Sequence, residues 1–319
     1  MNIKKRHHFV PKAYLRAFES SDGKVLVYRK DEPGKILRVN PDGTGFERYY
    51  YSQPTPEGSI DHNRLEDMFS VIEGKWPPVV ERMGRRENVN ESLLDIFEFI
   101  LLQRVRVPAS RDATEAKLAA QVKATFKHLL AKGSIPAPPE SLRGRLDEVL
   151  VSIDPHKSIH GMVDDINAAR DVFDRIGLSV VHNMTDVPFL TSDNPVIWLD
   201  PSIHPDDIEP YAIKKGGPVL LLFPISPSLL ILGSTDYKEI FSKHGLQYSE
   251  TREDGWVRQI NETVCRFAYK AVYASSPGQE DLISRFTGMS PVWRQSGAKG
   301  KLVFGERTAK PKWKPKSEE

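Results

Sequence analysis

The sequence predicts an α+β fold with an N-terminal antiparallel meander, a central helical region, a C-terminal β-rich segment and a closing helix. Three observations support this class. Short β-rich runs separated by Asp-Gly and Pro-Gly turns occupy the first fifty residues, helical periodicity dominates residues 61–176, and β-rich runs return over residues 178–232. Strands and helices are thus segregated along the chain, whereas a parallel α/β fold would alternate them.

The N-terminal elements follow from one proline and several turn residues. Pro11 suits the first turn of a helix because its missing N–H needs no partner there, and residues 11–18 carry one apolar face. Three strand-like runs follow, and we expect them to pair as the meander. These runs are residues 24–29, 35–39 and 46–51.

Caps and prolines bound the helices. The first long helix begins at Asp61, and Pro77 and Pro78 interrupt it. The strongest helix begins after the Asn90 cap and ends or kinks at Pro108. The remaining helices are expected at residues 112–132, 141–151, 160–176 and, after the β-rich segment, 255–273.

The composition is that of a folded chain. The 319 residues carry 45 Lys and Arg against 43 Asp and Glu, a net charge of +2, and 39% of them are hydrophobic. Such a chain is too apolar for disorder and too charged for a membrane bundle. The N-terminus shows no apolar signal segment and Cys265 is the single cysteine. We therefore expect a cytoplasmic protein with no internal disulfide and no cysteine-based zinc site.

At this length the chain can form either one large domain or two intimate ones, and residues 290–319 are expected to form a basic, proline-containing, flexible tail. Residues 294–316 include eight basic side chains and one acid, and Lys alternates with Pro towards the end, which disfavours a helix. A solvated tail is the favoured interpretation. The alternative is an electrostatic arm for nucleic acid, with Trp313 to stack on a base.

The first candidate site is the histidine pair His7 and His8. Imidazole serves as metal ligand, general acid or base, or phosphate partner. Adjacent side chains on an extended segment point to opposite sides, so both rings cannot bind one metal from a straight strand. The alternative is structural, with one histidine packed beneath the meander and the other capping a helix.

The second candidate site is the polar end of the strongest predicted helix, where Gln103, Arg104 and Arg106 follow an apolar run. The residues four positions before the two arginines are Ile100 and Leu102, so neither arginine has a local acidic partner. A guanidinium near a core must be paired. Either the arginines form ion pairs with acids elsewhere, such as Glu66 or Glu98, or they form a fork for a phosphate or carboxylate ligand.

The third candidate site is the polar stretch at residues 191–194, between two apolar runs. Pro195 keeps Asn194 extended. Asp193 can bind a metal or act as a base, while Ser192 and Asn194 can position a ligand. The alternative is an Asx-turn, in which these side chains satisfy main-chain groups.

Asn261 and Cys265 share the apolar face of the predicted closing helix. A buried amide must find hydrogen bonds, so we expect Asn261 to hold a neighbouring strand. Cys265 has no histidine nearby in sequence and is expected to be a buried spacer. Signatures of standard nucleotide-binding, lipase-like and zincin-like sites are absent from the sequence.

Several segments together resemble the domain-of-unknown-function family 4238. The opening motif, His-His-Phe-Val-Pro-Lys-Ala-Tyr-Leu-Arg-Ala-Phe at residues 7–18, and Thr-Ser-Asp-Asn-Pro at residues 191–195 carry most of the resemblance. The other matching segments are residues 25–30, 49–52, 65–66, 103–104, 223–227 and the helix containing Asn261. The resemblance implies one family-sized domain, so residues 1–289 are assigned to a single α+β domain. It implies no established reaction, cofactor or partner. It also favours a single site for His7, His8, Gln103, Arg104, Asp193 and Asn194.

We expect a hydrolase that acts on a phosphate-bearing substrate, such as a nucleotide or nucleic acid. His7 or His8 would be general base or metal ligand, and Asp193 would bind the metal or orient the histidine. A divalent metal is compatible with these groups, and no specific cofactor is indicated. The substrate-binding residues would be Gln103, Arg104, Arg106, Ser192 and Asn194.

Two alternatives belong to other functional classes. In the first, the protein is a non-catalytic binding or regulatory module, and the same His, Asp and Arg residues form a buried structural network. In the second, the basic tail binds nucleic acid without catalysis, with an affinity that falls steeply with salt. Neither alternative involves a membrane.

Overall fold

The computed structural model describes residues 3–146, 149, 151–204, 207–208, 211–292, 294–296 and 301–303. The α+β class is confirmed, since these residues form several separate sheets together with long helices. The helices are α1 (Lys12–Leu15), α2 (Arg64–Gly84), α3 (Leu93–Val105), α4 (Pro108–Ala131), α5 (Pro155–Phe173), α6 (Lys238–His244), α7 (Asp254–Phe267) and α8 (Glu280–Ser284).

A five-stranded sheet contains most of the C-terminal strands. Its spatial order is β12 (Gln247–Thr251), β7 (Gly177–Asn183), β11 (Leu229–Ser234), β10 (Leu220–Ser226) and β9 (Ile197–Leu199). The β12 strand runs parallel to β7, and the other neighbours are antiparallel. Nearly every residue of β7, β10 and β11 is buried, which explains why these strands read as continuous apolar runs rather than alternating ones.

A four-stranded antiparallel sheet joins the two ends of the domain. Its order is β3 (Ile36–Val39), β2 (Val25–Arg29), β13 (Ala271–Ala274) and β8 (Thr191–Ser192). The meander therefore consists of β2 and β3. The third predicted run forms β4 (Phe46–Arg48), which pairs with β1 (Arg6–His8). The other two-stranded pairs are β5 (Gln53–Pro54) with β6 (Ile60–Asp61), and β14 (Arg294–Ser296) with β15 (Lys301–Val303).

The long α2 helix differs from the prediction, because it runs through Pro77 and Pro78. An internal proline removes a backbone hydrogen bond, at a cost of about 3 kcal/mol. Aromatic packing offsets this cost: Trp76 is buried and stacks on Phe99 of α3 with 4.0 Å between the ring centroids.

Two further boundaries differ from the sequence prediction. Pro108 begins α4, where a missing N–H is tolerated at the first helical position. The closing helix is shorter than predicted, because Ala268 is extended with ψ of 138° and residues 271–274 form β13. Of the helix expected at residues 141–151, the described part contains no α-helical residue, and a 3₁₀ turn spans Glu140–Leu142.

The main core cluster contains residues from Phe9 to Tyr273. This cluster therefore combines side chains from near both ends of residues 1–289, the range assigned to a single domain. Ser290 and Val292 are also buried, so packed structure continues past residue 289. Residues 304–319 of the predicted tail, including Trp313, lie outside the described residues. None of the described helices combines the length and hydropathy needed to cross a membrane.

Candidate functional site

The polar stretch at residues 191–195 connects the two main sheets. Thr191 and Ser192 form β8 at the edge of the four-stranded sheet, and β9 in the five-stranded sheet begins at Ile197. Asp193 and Asn194 occupy the junction and are both buried. Their side chains are therefore positioned by two rigid elements rather than by a surface loop.

Asp193 holds the segment between α7 and β13. Its Oδ1 accepts a hydrogen bond from the Tyr269 N–H at 2.8 Å, and its Oδ2 accepts one from the Lys270 N–H at 2.7 Å. Burial raises the pKa of this carboxyl, while the two N–H groups act in the opposite direction. Both carboxyl oxygens are thus engaged by the main chain. The catalytic or metal-binding role of Asp193 stays a prediction.

Asn194 retains an acceptor that has no partner. Its Nδ2 donates to the Phe267 carbonyl at 2.9 Å and to the Tyr211 hydroxyl at 2.6 Å. The carbonyl can only accept, so this contact fixes which amide atom is nitrogen. The opposite atom, Oδ1, is buried without a hydrogen bond. Ser192, by contrast, uses its Oγ to accept from the Asn194 N–H at 3.1 Å, which is the Asx-like local turn that the structural alternative predicts.

Arg106 fulfils the structural alternative for the helix end. Its buried guanidinium forms an ion pair with Glu73 at 2.6 Å. It also donates to the main-chain carbonyls of His8 at 2.6 Å and Phe9 at 3.0 Å. The guanidinium therefore ties α3 to α2 and to the N-terminal segment, which accounts for its burial.

Arg104 lacks such partners. Within the described part of the chain it makes no hydrogen bond or ion pair, and its Nε and Nη1 are buried without an acceptor. Its guanidinium carbon lies 3.3 Å from the centroid of the Tyr211 ring and 5.0 Å from that of Trp198. The aromatic contacts cover the face of the cation, and its N–H groups remain able to bind an anion.

Tyr211 connects Arg104 to the polar stretch. Its ring contacts the guanidinium, and its hydroxyl accepts from Asn194 and donates to the Val196 carbonyl at 3.3 Å. Burial raises the pKa of the Tyr211 phenol, the positive charge of Arg104 lowers it, and the charge of Asp193 raises it. Arg104, Asp193 and Asn194 therefore all lie close to this phenol. Sequence reasoning missed Tyr211, because it follows a polar loop that carries no motif.

Gln103 is a further buried group with unused hydrogen-bonding capacity. Its side chain is 0% exposed, and neither amide atom has a partner. A buried amide without partners costs about 1–3 kcal/mol, so such a residue is not explained by stability. Gln103 adjoins Arg104 in the chain, and the substrate-binding role predicted for it stays a prediction.

His7 is held entirely by the main chain. Its Nδ1 accepts from the Tyr51 N–H at 2.8 Å, which requires a proton on Nε2, and Nε2 lies 3.0 Å from the Lys4 carbonyl. Its ring stacks on Tyr51 with 5.8 Å between centroids. Burial lowers the pKa of His7, so the neutral ring is favoured. A general base or metal ligand would need one of these nitrogens free.

His8 has different neighbours, as expected for the adjacent position on a strand. Its ring lies 5.4 Å from that of Phe46, and its Nε2 is buried without a hydrogen bond. Burial lowers the pKa of His8. His8 contacts Arg106 through its carbonyl, and no contact joins it to Asp193 among the described residues.

The predicted site residues thus form two groups on opposite sides of α3. Arg106 binds the main-chain carbonyls of His8 and Phe9, whereas Arg104 stacks on the ring of Tyr211, whose hydroxyl accepts from Asn194. Positions 104 and 106 are two residues apart, about 200° around a helix, so they point in nearly opposite directions. Tyr211 thus links Arg104 to Asn194, the neighbour of Asp193 in the chain, and no contact among the described residues joins the histidine pair to this group.

Glu66, which the sequence also offered as an ion-pair partner for the arginines, forms no ion pair among the described residues, and Arg106 pairs with Glu73 instead. Glu66 lies in the first turn of α2, and its Oε1 is buried without a partner. Burial raises the pKa of this carboxyl to about 7, and the Arg106 charge lowers it.

No cluster of three or more His, Cys, Asp or Glu side chains within the described residues is arranged to hold a metal ion. A cavity of about 390 Å³ lies elsewhere, between the C-terminal half of α4 and residues 136–139, 142, 146, 149 and 151. Apolar side chains such as Phe126 and Leu142 line most of it. None of the predicted site residues contributes to this cavity.

The comparison with family models identifies one family. The model described as "Protein of unknown function (DUF4238)" matches residues 6–278. The comparisons with curated proteins and with solved structures return no match. The matched range contains β1, the polar junction, the end of α3 and Tyr211, so both groups of polar residues lie inside it. With this match over most of its length, the chain belongs to the DUF4238 family.

Proposed function

We propose that this protein binds a phosphate-bearing small molecule at Arg104. The supporting observation is a largely buried guanidinium that no acceptor in the described chain satisfies. Arginine binds phosphate through its planar set of N–H donors while its faces stack on aromatic rings. Tyr211 and Trp198 supply those rings here. A phosphate would supply the missing acceptors.

The contrast with Arg106 strengthens this proposal. Arg106 caps the C-terminus of the same helix and is paired with Glu73 and two carbonyls. The fold thus supplies hydrogen-bond acceptors for a guanidinium that has a structural role. Arg104 and Gln103 keep unsatisfied groups in the interior, which lowers stability unless a ligand compensates.

Hydrolysis of the bound molecule is a separate proposal that the sequence motivates. The proposed binding does not depend on hydrolysis, because it uses Arg104 and needs neither His7 nor Asp193. The side chains of His7 and Asp193 are engaged in main-chain hydrogen bonds. A small molecule suits the site better than a polymer, since Arg104 projects from the core helix α3 and two of its guanidinium nitrogens are buried.

A thermal-shift panel tests the proposed binding. Inorganic phosphate, pyrophosphate, ribose 5-phosphate and ADP would be added to the wild type, to Arg104→Met and to Arg258→Met. Arg258 is exposed on α7 and has no ligand role here, so it controls for loss of one positive charge. We expect at least one probe to stabilise the wild type and Arg258→Met but not Arg104→Met. Equal shifts in all three proteins, or none in any, would contradict the proposal.

A further inference from the structure

We propose that the cavity beside α4 binds the alkyl chain of a fatty acid, with the carboxylate of that acid held by Lys123 and Lys127. The cavity has a volume of about 390 Å³ and lies between the C-terminal half of α4 and part of the segment that follows this helix. Arg104 does not line it. The fatty-acid site is therefore independent of the phosphate binding proposed above.

The lining of the cavity is apolar apart from the two lysines. Ten of the twelve described residues that line it are Val, Phe, Pro, Ala or Leu. Three of these, Val122, Phe126 and Leu142, are between 38% and 49% exposed. Apolar side chains around a cavity are stabilised when an apolar molecule covers them, and exposed clusters of this kind mark binding sites. The occupant is therefore expected to be mainly hydrocarbon.

The wall that faces α4 is stiff and offers few hydrogen-bond donors. Three of the four residues at positions 136–139 are prolines, whose φ is fixed and which have no N–H. Farther along this wall, the Leu142 N–H donates to the Pro139 carbonyl at 2.9 Å. A stiff wall keeps the cavity formed before a ligand arrives, which lowers the entropic cost of binding. A ligand without polar groups along its length suits such a wall.

The volume of the cavity fits a chain of medium length. An apolar cavity of about 150 Å³ in another protein holds the six carbons of benzene. At the same density, the 390 Å³ of this cavity would accommodate about 15 non-hydrogen atoms. Dodecanoate, an unbranched acid, has about this number of atoms. We therefore take it as the probe for the site.

Lys123 and Lys127 give this apolar site a preference for negative charge. They are one turn apart on α4, so both lie on the same face of the helix, and both line the cavity. Each ammonium group has three N–H donors, so it can bind a carboxylate in addition to its other contacts. None of the described residues that line the cavity is acidic. This combination favours an amphipathic anion over a neutral or cationic chain.

Calorimetric titration of the full-length protein, with each ligand kept below its critical micelle concentration, tests this site. We expect dodecanoate to bind more tightly than octanoate, by about fourfold for each additional methylene that the cavity buries. Dodecyltrimethylammonium has the same chain with the opposite charge, and we expect it to bind at least about tenfold more weakly than dodecanoate. These comparisons use the wild type alone. Binding that ignores either chain length or charge would overturn the proposal.

A pair of double variants tests the role of the two lysines. Lys123→Met with Lys127→Met keeps apolar side chains at both positions and should weaken dodecanoate binding about tenfold. Lys117→Met with Lys132→Met is the matched control, because it removes the same charge from exposed positions that do not line the cavity. We expect the control to bind dodecanoate as the wild type does. Equal affinities in the two double variants would contradict the role of Lys123 and Lys127.

A second pair of variants tests the location of the alkyl chain. Phe126→Glu places a carboxylate in the cavity and should abolish dodecanoate binding, whereas Leu94→Glu, at an exposed position on α3, should leave it unchanged. Wild-type affinity in the folded Phe126→Glu protein would overturn the site. So would a wild type that binds no dodecanoate but forms a dimer that Phe126→Glu dissociates, because the cavity would then belong to a contact between two copies of the chain.

Discussion

The Tyr14 hydroxyl lies 2.6 Å from the Thr191 Oγ1 and donates to the Pro224 carbonyl at 2.5 Å. These contacts join the N-terminal histidine motif, the polar junction and β10, which are far apart in the chain. Tyr14 is fully buried, and burial raises the pKa of its phenol. The segments that carry the family resemblance therefore meet at one buried hydroxyl.

Tyr14→Phe is expected to destabilise the protein by about 1–3 kcal/mol, because the Thr191 hydroxyl and the Pro224 carbonyl lose their shared partner inside the core. Urea denaturation measures the change in the free energy of unfolding. Tyr49→Phe is the control, since Tyr49 is 38% exposed, and its loss of a hydroxyl should cost less than about 0.5 kcal/mol. Equal losses in both variants would count against a structural role for the Tyr14 hydroxyl.

Arg104→Met and Arg106→Met are expected to differ sharply in stability. Arg106→Met leaves Glu73 without its partner and should cost about 3–5 kcal/mol. Arg104→Met removes unsatisfied donors and keeps an adaptable side chain against Tyr211 and Trp198, so its change should stay within about 1 kcal/mol. Chemical denaturation without ligand measures both. A large loss in Arg104→Met would show that this arginine serves the fold.

Asp193→Asn should destabilise the protein by about 2–3 kcal/mol, because the amide places a donor against one of the N–H groups of Tyr269 and Lys270. The matched control is Asp186→Asn, an exposed position where the same change should cost less than about 0.5 kcal/mol. Thermal or urea unfolding provides the comparison. No difference between the two variants would contradict the main-chain role of Asp193.

Glu66 makes stability depend on pH. Its pKa is raised from 4.5 to about 7 in the folded protein, so the folded state retains a proton that the unfolded chain releases. This contribution to stability is present below pH 4.5 and is lost as the pH rises towards 7. Glu66→Gln keeps a neutral side chain at every pH. Its free energy of unfolding, relative to that of the wild type, should therefore increase by up to about 3 kcal/mol between pH 4.5 and 8.

Unfolding curves of the wild type and Glu66→Gln at several pH values measure this advantage. Comparing the two proteins cancels the contribution of His7 and His8, whose lowered pKa values make stability rise with pH. Glu140→Gln, at an exposed position, controls for removal of one carboxylate. An advantage that stays constant across this pH range would contradict the assignment.

Short-range sequence patterns correctly predicted the features that depend on neighbouring residues in the chain. The Pro11 helix, the α+β class and the buried Asn261 follow from turn residues, periodicity and the need to satisfy a buried amide. Asn261 indeed accepts from the Leu190 N–H at 2.9 Å and donates to the Pro188 carbonyl at 2.9 Å. Cys265 is buried as expected, and burial raises the pKa of its thiol to about 12.

Features set by long-range packing were not readable from the sequence. Stacking on Phe99 supports the helix at Trp76 despite the two prolines that follow it. Arg104 and Arg106 are alike in sequence, and only the fold shows that Glu73 pairs with one of them. Tyr211 reaches Asn194 from a loop without a motif, so no spacing rule could connect them.

Calorimetric titration with pyrophosphate tests the binding of a phosphate-bearing molecule at Arg104 most directly. We expect wild type and Arg258→Met to bind with equal affinity. Arg104→Met should bind about 10–100-fold more weakly, as expected for the loss of charge-assisted hydrogen bonds of about 1.5–3 kcal/mol. The same affinity in Arg104→Met and in the wild type, or no binding by the wild type, would contradict the account.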